Sequence, residues 1–383
     1  MITHIFIDNY RCFTNFEFAP RRLNLLLGAN GAGKSSFFDL MTAIGDLVVR
    51  GADIAEAFPS SSLTRWDRRP TQRVELKLEE GDRHYHYVLV VQHDLDLERS
   101  SILSEKVTLA DKTLFAFEKG NVRLHENDGS EAARFAFGGN KSFLAQIEAR
   151  PETRDLMIWL EGIRGIWAGR LDARNMSSVS PEEDETLARD GSNFASWYRH
   201  FSQENPDRLR ALFSALEPIV PGFRAIALVS SGGKGRVRDL VVRMTACGTE
   251  YDLDFEELSD GQRALIVLYA LLESARPGRG CLLLDEPELH VGLSEIQPWL
   301  VEMDGRFESH GQFFLASHHP EVVDYLAASD PFVFERPDGG PVRVQPAVFD
   351  RESGLSASAQ LARGLVGQLA WTSSRRSSSD ELG

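Results

Sequence analysis

"GANGAGKSS", residues 28 to 36, follows the apolar run "LNLLL" (23 to 27) and precedes "FFDLMTAIG" (37 to 45), so the chain passes from strand to helix through a glycine-rich corner. Gly28, Gly31 and Gly33 allow positive-φ backbone and the close approach of a ligand with no Cβ in the way. The ligand is expected to be an anion. Successive N–H groups curl into a nest, the following helix adds the positive end of its dipole, and Lys34 brings a full charge to the same point. The spacing G-x-x-x-x-G-K-S is that of a P-loop. In it Asn30, Gly31, Ala32, Gly33, Lys34, Ser35 and Ser36 would cradle phosphates, with Lys34 on the β- and γ-phosphates and the Ser35 hydroxyl on Mg²⁺. A glycine-rich turn with a chance Lys-Ser is the bland alternative, and the strand-and-helix context weighs against it.

A nucleotide-hydrolysing site also needs a carboxylate for the metal and a base for water, delivered by another parallel strand. "GCLLLDEPELH" (280 to 290) supplies both. A continuous apolar run ending in two acids is how a strand buried on both faces brings charge to the carboxyl edge of a sheet. Asp285 would hold Mg²⁺, and Glu286 would polarise the attacking water. Between these segments lies "FEELSDGQRALIVLYALLESA" (255 to 275), where Ser259 or Asp260 caps a mostly buried helix. Its N-terminus, with Gly261 allowing close approach, points at a second anion. In "QFFLASHHPEVVDYL" (312 to 326) another strand ends at a polar corner. His318 falls at the same edge as the P-loop and the acids and is read as a γ-phosphate contact; His319 is read as structural.

These residues in this order resemble the ABC-type ATPase superfamily in its RecF, SMC and OLD-like branch. Gly28 to Ser35 is similar to its Walker A, Leu258 to Gln262 to its signature motif, Leu282 to Glu286 to its Walker B with the catalytic glutamate, and His318 to its switch histidine. "NYRCF" (9 to 13) is similar to the N-Y/F-R-x-F opening of that branch, and "LARDGSNFASWYRHF" (187 to 201) and "LEPIVPGF" (216 to 223) resemble the middle of bacterial ATPases labelled as AAA-family. The resemblance implies an α/β P-loop NTPase of ABC ATPase-head type, a mixed sheet with an antiparallel β subdomain and a helical insertion. It further implies ATP and Mg²⁺, with catalysis by Lys34, Glu286 and His318. It implies a head-to-tail homodimer in which Ser259, Gly261 and Gln262 reach the partner's nucleotide. The chain departs from the pattern after "DEPELH", where Val291, Gly292 and Leu293 replace a leucine-histidine-proline. Gln146 in "KSFLAQIE" is the candidate Q-loop glutamine, and Arg11 is either a nucleotide contact or a structural cation.

Spacing narrows the branch. From Lys34 to Ser259 is 225 residues, too long for a transporter-type subunit. Residues 70 to 125 alternate at period two with turns between, as strands do, and residues 142 to 215 read as short helices around the loop "RNMSSVSPEED", with no sustained heptad for a coiled-coil arm. Only 63 residues follow Pro320, so no TOPRIM nuclease domain is expected, and "SSRRSSSDELG" reads as a disordered tail. The expected divisions are an N-terminal ATPase lobe at 1–135, a helical insertion with connecting strands at 136–254, a C-terminal ATPase lobe at 255–350 and an extension at 351–383.

With 42% hydrophobic and 26% charged residues the chain has ordinary globular composition, and with no apolar stretch near ~20 residues and no signal peptide it is expected in the cytoplasm with no membrane partner. Cys12, Cys247 and Cys281 are too scattered for a zinc or disulfide framework. The net charge of −15 disfavours sequence-independent wrapping of nucleic acid. "TRWDRRPTQR" (64 to 73) is the best local basic strip, with a solvated loop the favoured reading; Lys234, Arg236 and Arg238 in "SSGGKGRVRD" are likewise read as a solvated hairpin loop. Two functions fit. One is a regulatory ATP switch in bacterial phage defence, with a separately encoded toxin or nuclease effector; the other is a RecF-like ATPase acting on DNA ends or gaps. The acidic balance favours the first.

Overall fold

The computed structural model describes residues 1–231, 236–275, 280–307 and 311–366. From the amino end, β1 (Ile2–Asp8) turns through "NYRCF" into β2 (Phe16–Phe18), and β3 (Leu23–Leu27) leads through the P-loop into α1 (Lys34–Val48). After the short α2 (Ile54–Ala57), strands β4 (Thr71–Glu80), β5 (Arg83–Asp94), β6 (Arg99–Leu109), β7 (Lys112–Glu118), β8 (Asn121–His125) and β9 (Glu131–Ala136) meander. The middle of the chain holds α3 (Arg154–Arg164), β10 (Ile166–Gly169), β11 (Val179–Ser180), α4 (Phe194–Glu204), α5 (Pro206–Leu216), β12 (Phe223–Ser230), β13 (Arg238–Ala246) and β14 (Thr249–Asp254). The remainder is α6 (Asp260–Ser274), β15 (Cys281–Asp285), α7 (Leu293–Phe307), β16 (Gln312–Ala316), α8 (Pro320–Leu326), β17 (Phe332–Glu335), β18 (Arg343–Pro346) and α9 (Ala357–Ala362).

The central sheet has the order β10-β15-β16-β3-β17-β18; the first five strands are parallel and β18 runs antiparallel to β17. Its inner strands are buried on both faces, which is why β3, β15 and β16 read as mostly apolar runs, with Asn24 the one polar residue inside them and Asp285 and Gln312 at their ends. Alternate residues feed two separate cores. Leu26, Leu283, Phe314 and Phe334 pack with α1, α3 and the antiparallel strands, whereas Leu25, Leu284, Leu315 and Val333 pack with α6, α7 and α8. The antiparallel sheet, ordered β2-β1-β4-β5-β6-β7-β8-β9, covers the first of these faces. Its long strands bury every second side chain, as the period-two pattern of residues 70 to 125 requires. A smaller sheet is built on β13, with β12 on one side and β11 and β14 on the other.

Two segments differ from the sequence expectation. Within the region read as helices, Ile166–Gly169 adds a parallel strand beside β15; four residues are too few to display a period, and only the pairing with β15 makes them a strand. Within the expected loop "RNMSSVSPEED", Val179 and Ser180 pair with Asp239 and Arg238. The hairpin around residues 230 to 239 has Ser230 opposite Arg238, while Lys234 and the tail "SSRRSSSDELG" lie outside the described residues. Among the described residues no helix is long and apolar enough to cross a membrane.

Candidate nucleotide site

Five parallel strands end on one edge, and each delivers a residue to the same cleft. β3 gives the P-loop, β15 gives Asp285 and Glu286, β16 is followed by His318, β10 by Arg170 and β17 by Arg336. The cleft measures about 750 Å³, within the range of roughly 300–1,000 Å³ usual for small-ligand sites. Asn30, Gly31, Ala32, Gly33, Lys34, Ser35 and Ser36 all line it. Gly33 takes φ 106° as the N-cap of α1, and a Cβ there would lie 2.7 Å from Val342 Cγ2, so both backbone conformation and space require glycine.

The polar groups converge. Ser35 Oγ donates to Asp285 Oδ2 at 2.6 Å. Lys34 Nζ donates to Gly28 O at 2.5 Å and lies 3.1 Å from His318 Nε2. Burial pulls the Lys34 pKa down, against the pull of Asp285 and Glu286, and pushes Asp285 up, against its hydrogen bond from Ser35. His318 is shifted down by burial and by the neighbouring Lys34, which keeps it neutral and leaves Nε2 free to accept from the ammonium. Glu286 takes a left-handed backbone at φ 50°, its N–H donates to Ala316 O at 2.8 Å, and its carboxylate pairs with Arg170 Nη2 at 2.6 Å.

Sequence reasoning missed several residues here. Arg170 follows the unrecognised β10; Arg336 follows β17 and donates to Gly339 O at 2.6 Å and to Gly31 O at 3.4 Å. Glu288 is buried behind the edge and accepts Ser317 Oγ at 2.5 Å, tying the "DEPELH" turn to the residue before His318; burial raises its pKa. The doubled acids of "DEPELH" were the available signal for Glu288. Arg11 lines the cleft while pairing with Asp39, which also accepts from Arg189 at 2.5 Å. Gln146 ends a 3₁₀ turn, Phe143–Gln146, and is not among the residues lining the cleft.

Ser259, Gly261 and Gln262 are also absent from the lining. They form the N-terminus of α6, where Ser259 Oγ accepts from Gln262 N at 3.3 Å and Gln262 Oε1 accepts from Ser259 N at 3.1 Å. A Cβ on Gly261 would lie 2.8 Å from His290 O, so glycine lets this helix end sit against the turn after β15.

A family model described as "AAA domain, putative AbiEii toxin, Type IV TA system" matches residues 23–324, most of the chain, including the P-loop, the start of α6, "DEPELH" and His318. The chain belongs to this family. No curated protein matches it at a significant level. Among solved structures, the fold is similar to an SMC head bound to the C-terminal winged-helix domain of ScpA, at TM-score 0.53 and 16% identity over 92% of this chain and 99% of that one. It is also similar to the SMC head with an extended coiled coil, bound to the C-terminal domain of ScpA, derived from Pyrococcus furiosus, at TM-score 0.52 and 14% identity over 98% and 99%. With the motifs in place, the chain is an AAA-family protein whose P-loop α/β fold is that of SMC ATPase heads.

Proposed function

We propose that this ATPase binds and hydrolyses ATP, dimerises head to tail around it, and acts as a regulatory switch on a separately encoded effector in bacterial phage defence. The observation that carries the hydrolytic reading is the Ser35–Asp285 contact at 2.6 Å, with Lys34 and His318 beside it. Two hard oxygen donors converging next to a P-loop fit Mg²⁺, which binds one or two protein oxygens and keeps the rest of its shell for water and phosphate. Bound there, Mg²⁺ would neutralise charge on the β- and γ-phosphates. Lys34 and the N–H groups of residues 31–36 bind the phosphate chain, Glu286 orients and takes a proton from the attacking water, and His318 steadies the transferring group by donating a ring N–H to it. For Glu286 to do this its carboxylate must leave Arg170.

The dimer reading is supported by the position of Ser259, Gly261 and Gln262, outside the cleft of their own chain at an exposed helix N-terminus. The effector reading is supported by the family description, which names a toxin and a type IV toxin–antitoxin system, and by the acidic charge of −15. The basic strip at 64–73, expected to be a solvated loop, is partly ion-paired within the fold. Arg69 pairs with Asp8 and Asp67, Arg73 pairs with Glu75, and Arg65 and Trp66 line the nucleotide cleft.

Light scattering of Glu286→Gln tests the proposal. A dimer that forms with Mg-ATP and is indifferent to added duplex DNA supports the switch; a dimer that DNA stabilises moves the assignment to the DNA-acting alternative. A particle that stays monomeric with saturating Mg-ATP sinks the sandwich.

A further inference from the structure

The segment "TRWDRRPTQR" is not used by the hydrolytic machinery, yet part of it faces that machinery. Trp66 is 49% exposed, an unusual state for the largest apolar side chain, and it sits on a turn that the fold pins from several sides. Thr64 N donates to Asn9 Oδ1 at 3.2 Å, Thr64 Oγ1 donates to Phe13 O at 3.3 Å, and Asp67 N closes the turn on Thr64 O at 3.0 Å. Asp67 is then locked to Arg69, which also pairs with Asp8 of β1. The backbone carrying Trp66 is held in place, so the exposure of the ring is a fixed feature of the fold.

Trp66 also connects to the P-loop through a single side chain. The Arg336 guanidinium lies over the indole at 5.5 Å from its centroid, and the same guanidinium reaches Gly31 O at 3.4 Å. Carbonyls of Gly339 and Gly340 fix its orientation at 2.6 and 2.9 Å. Trp66, Arg65, Leu63 and Ser61 line the same cleft as the P-loop, Asp285 and His318. The cleft thus combines polar, charged groups with a half-exposed indole, one face of which Arg336 covers, and with Leu63. A nucleotide likewise combines a charged phosphate chain with a flat base.

We infer that Trp66, held by Arg336, is the platform on which the base of the nucleoside triphosphate stacks, so that the turn at 64–67 supplies base affinity while the P-loop supplies phosphate affinity. The inference rests on the P-loop reading above. An aromatic face accepts every base and gains affinity from stacking area instead of hydrogen-bond pattern.

The test separates the two ends of the ligand. Equilibrium binding of Mg-ATP and of Mg-tripolyphosphate, which has phosphates and no base, is measured for the parent protein, Trp66→Ala, Trp66→Phe and Lys34→Ala. Trp66→Ala is expected to weaken ATP about tenfold, which corresponds to about 1.4 kcal/mol, while leaving tripolyphosphate unchanged. Trp66→Phe should recover most of that loss, and Lys34→Ala should weaken both ligands. Equal losses of ATP and tripolyphosphate in Trp66→Ala, or unchanged ATP binding, overturn the platform and leave the P-loop reading standing. A parent protein that binds neither ligand overturns both. Unchanged ATP binding together with reduced retention of a single-stranded oligonucleotide reassigns Trp66 to a nucleic-acid surface.

Discussion

At the carboxyl edge of the central sheet Ser35 touches Asp285 and Lys34 touches His318, whereas at the start of α6 the Ser259 and Gln262 side chains cap each other's backbone N–H. The first set comes from three strands far apart in sequence that a parallel sheet forces together, so a single chain assembles it completely. The second set is local, a capping box that satisfies its own helix end. An anion arriving at α6 must compete with the Gln262 side chain for Ser259, whereas an anion arriving at the P-loop meets donors already held in position. The chain therefore has a cleft with donors already in place and a helix end that caps itself; under the proposed dimer these are the two halves of one site, and only the first is expected to bind nucleotide unaided.

The largest expected effect breaks the ready half alone. Lys34→Ala should lower ATP affinity by roughly 100-fold or more in equilibrium binding, since it removes the buried cation from the phosphate nest. Glu286→Gln separates binding from chemistry on that same half: turnover should fall by roughly 10²–10⁴-fold in a phosphate-release assay while ATP affinity changes by no more than several-fold. Gly261→Val attacks the other half, where a side chain would press on His290 O. It is expected to leave ATP binding to the single chain intact and to lower dimer formation and turnover by roughly tenfold, read by light scattering and phosphate release. If Gly261→Val weakens ATP binding to the monomer as much as Lys34→Ala does, the two halves are not separable and the contrast fails.

The smallest effect lies in the scaffold and should touch neither half. His93 is buried against Gln72 and Ser100, and burial lowers its pKa to about 4. Between pH 6.5 and 4 the unfolded chain binds the proton that the folded chain refuses, so stability falls as pH falls through this window. Glu105, wholly buried with Tyr87 and Ser142 as donors, is raised by burial to about 7. Its contribution has the opposite sign: full below pH 4.5 and lost as pH rises toward 7. Melting temperature followed against pH should lose the acid limb in His93→Gln and the neutral limb in Glu105→Gln, with ATP binding unchanged in both.

The residues that line the cleft were largely legible because each group is a short, ordered string: a glycine corner between strand and helix, and two apolar runs that end in acids or in histidine. The antiparallel sheet was legible for a different reason, since one of its faces is buried and β4 and β5 must alternate. What the sequence hid depends on partners distant along the chain. Ile166–Gly169 is a strand only beside β15, and Arg170 matters only because that pairing carries it to Glu286. Arg69 and Trp66 belong to one basic stretch on paper, but Asp8 draws one inward while Arg336 holds the other at the cleft. Charge counts along a segment do not record such divisions.

Gln312 opens β16, and its side chain clasps the backbone of Ile2 in both directions, accepting from Ile2 N at 2.9 Å and donating to Ile2 O at 2.8 Å, with Arg21 O as a further acceptor. The far end of that strand, roughly 13 Å away at about 3.3 Å per residue, leads into Ser317 and His318. β16 is hydrogen-bonded along its length between β15 and β3, is fastened at one end to the margin of the antiparallel sheet and leads at the other into His318. The register between the two sheets is thus held by a polar clasp as well as by the apolar core.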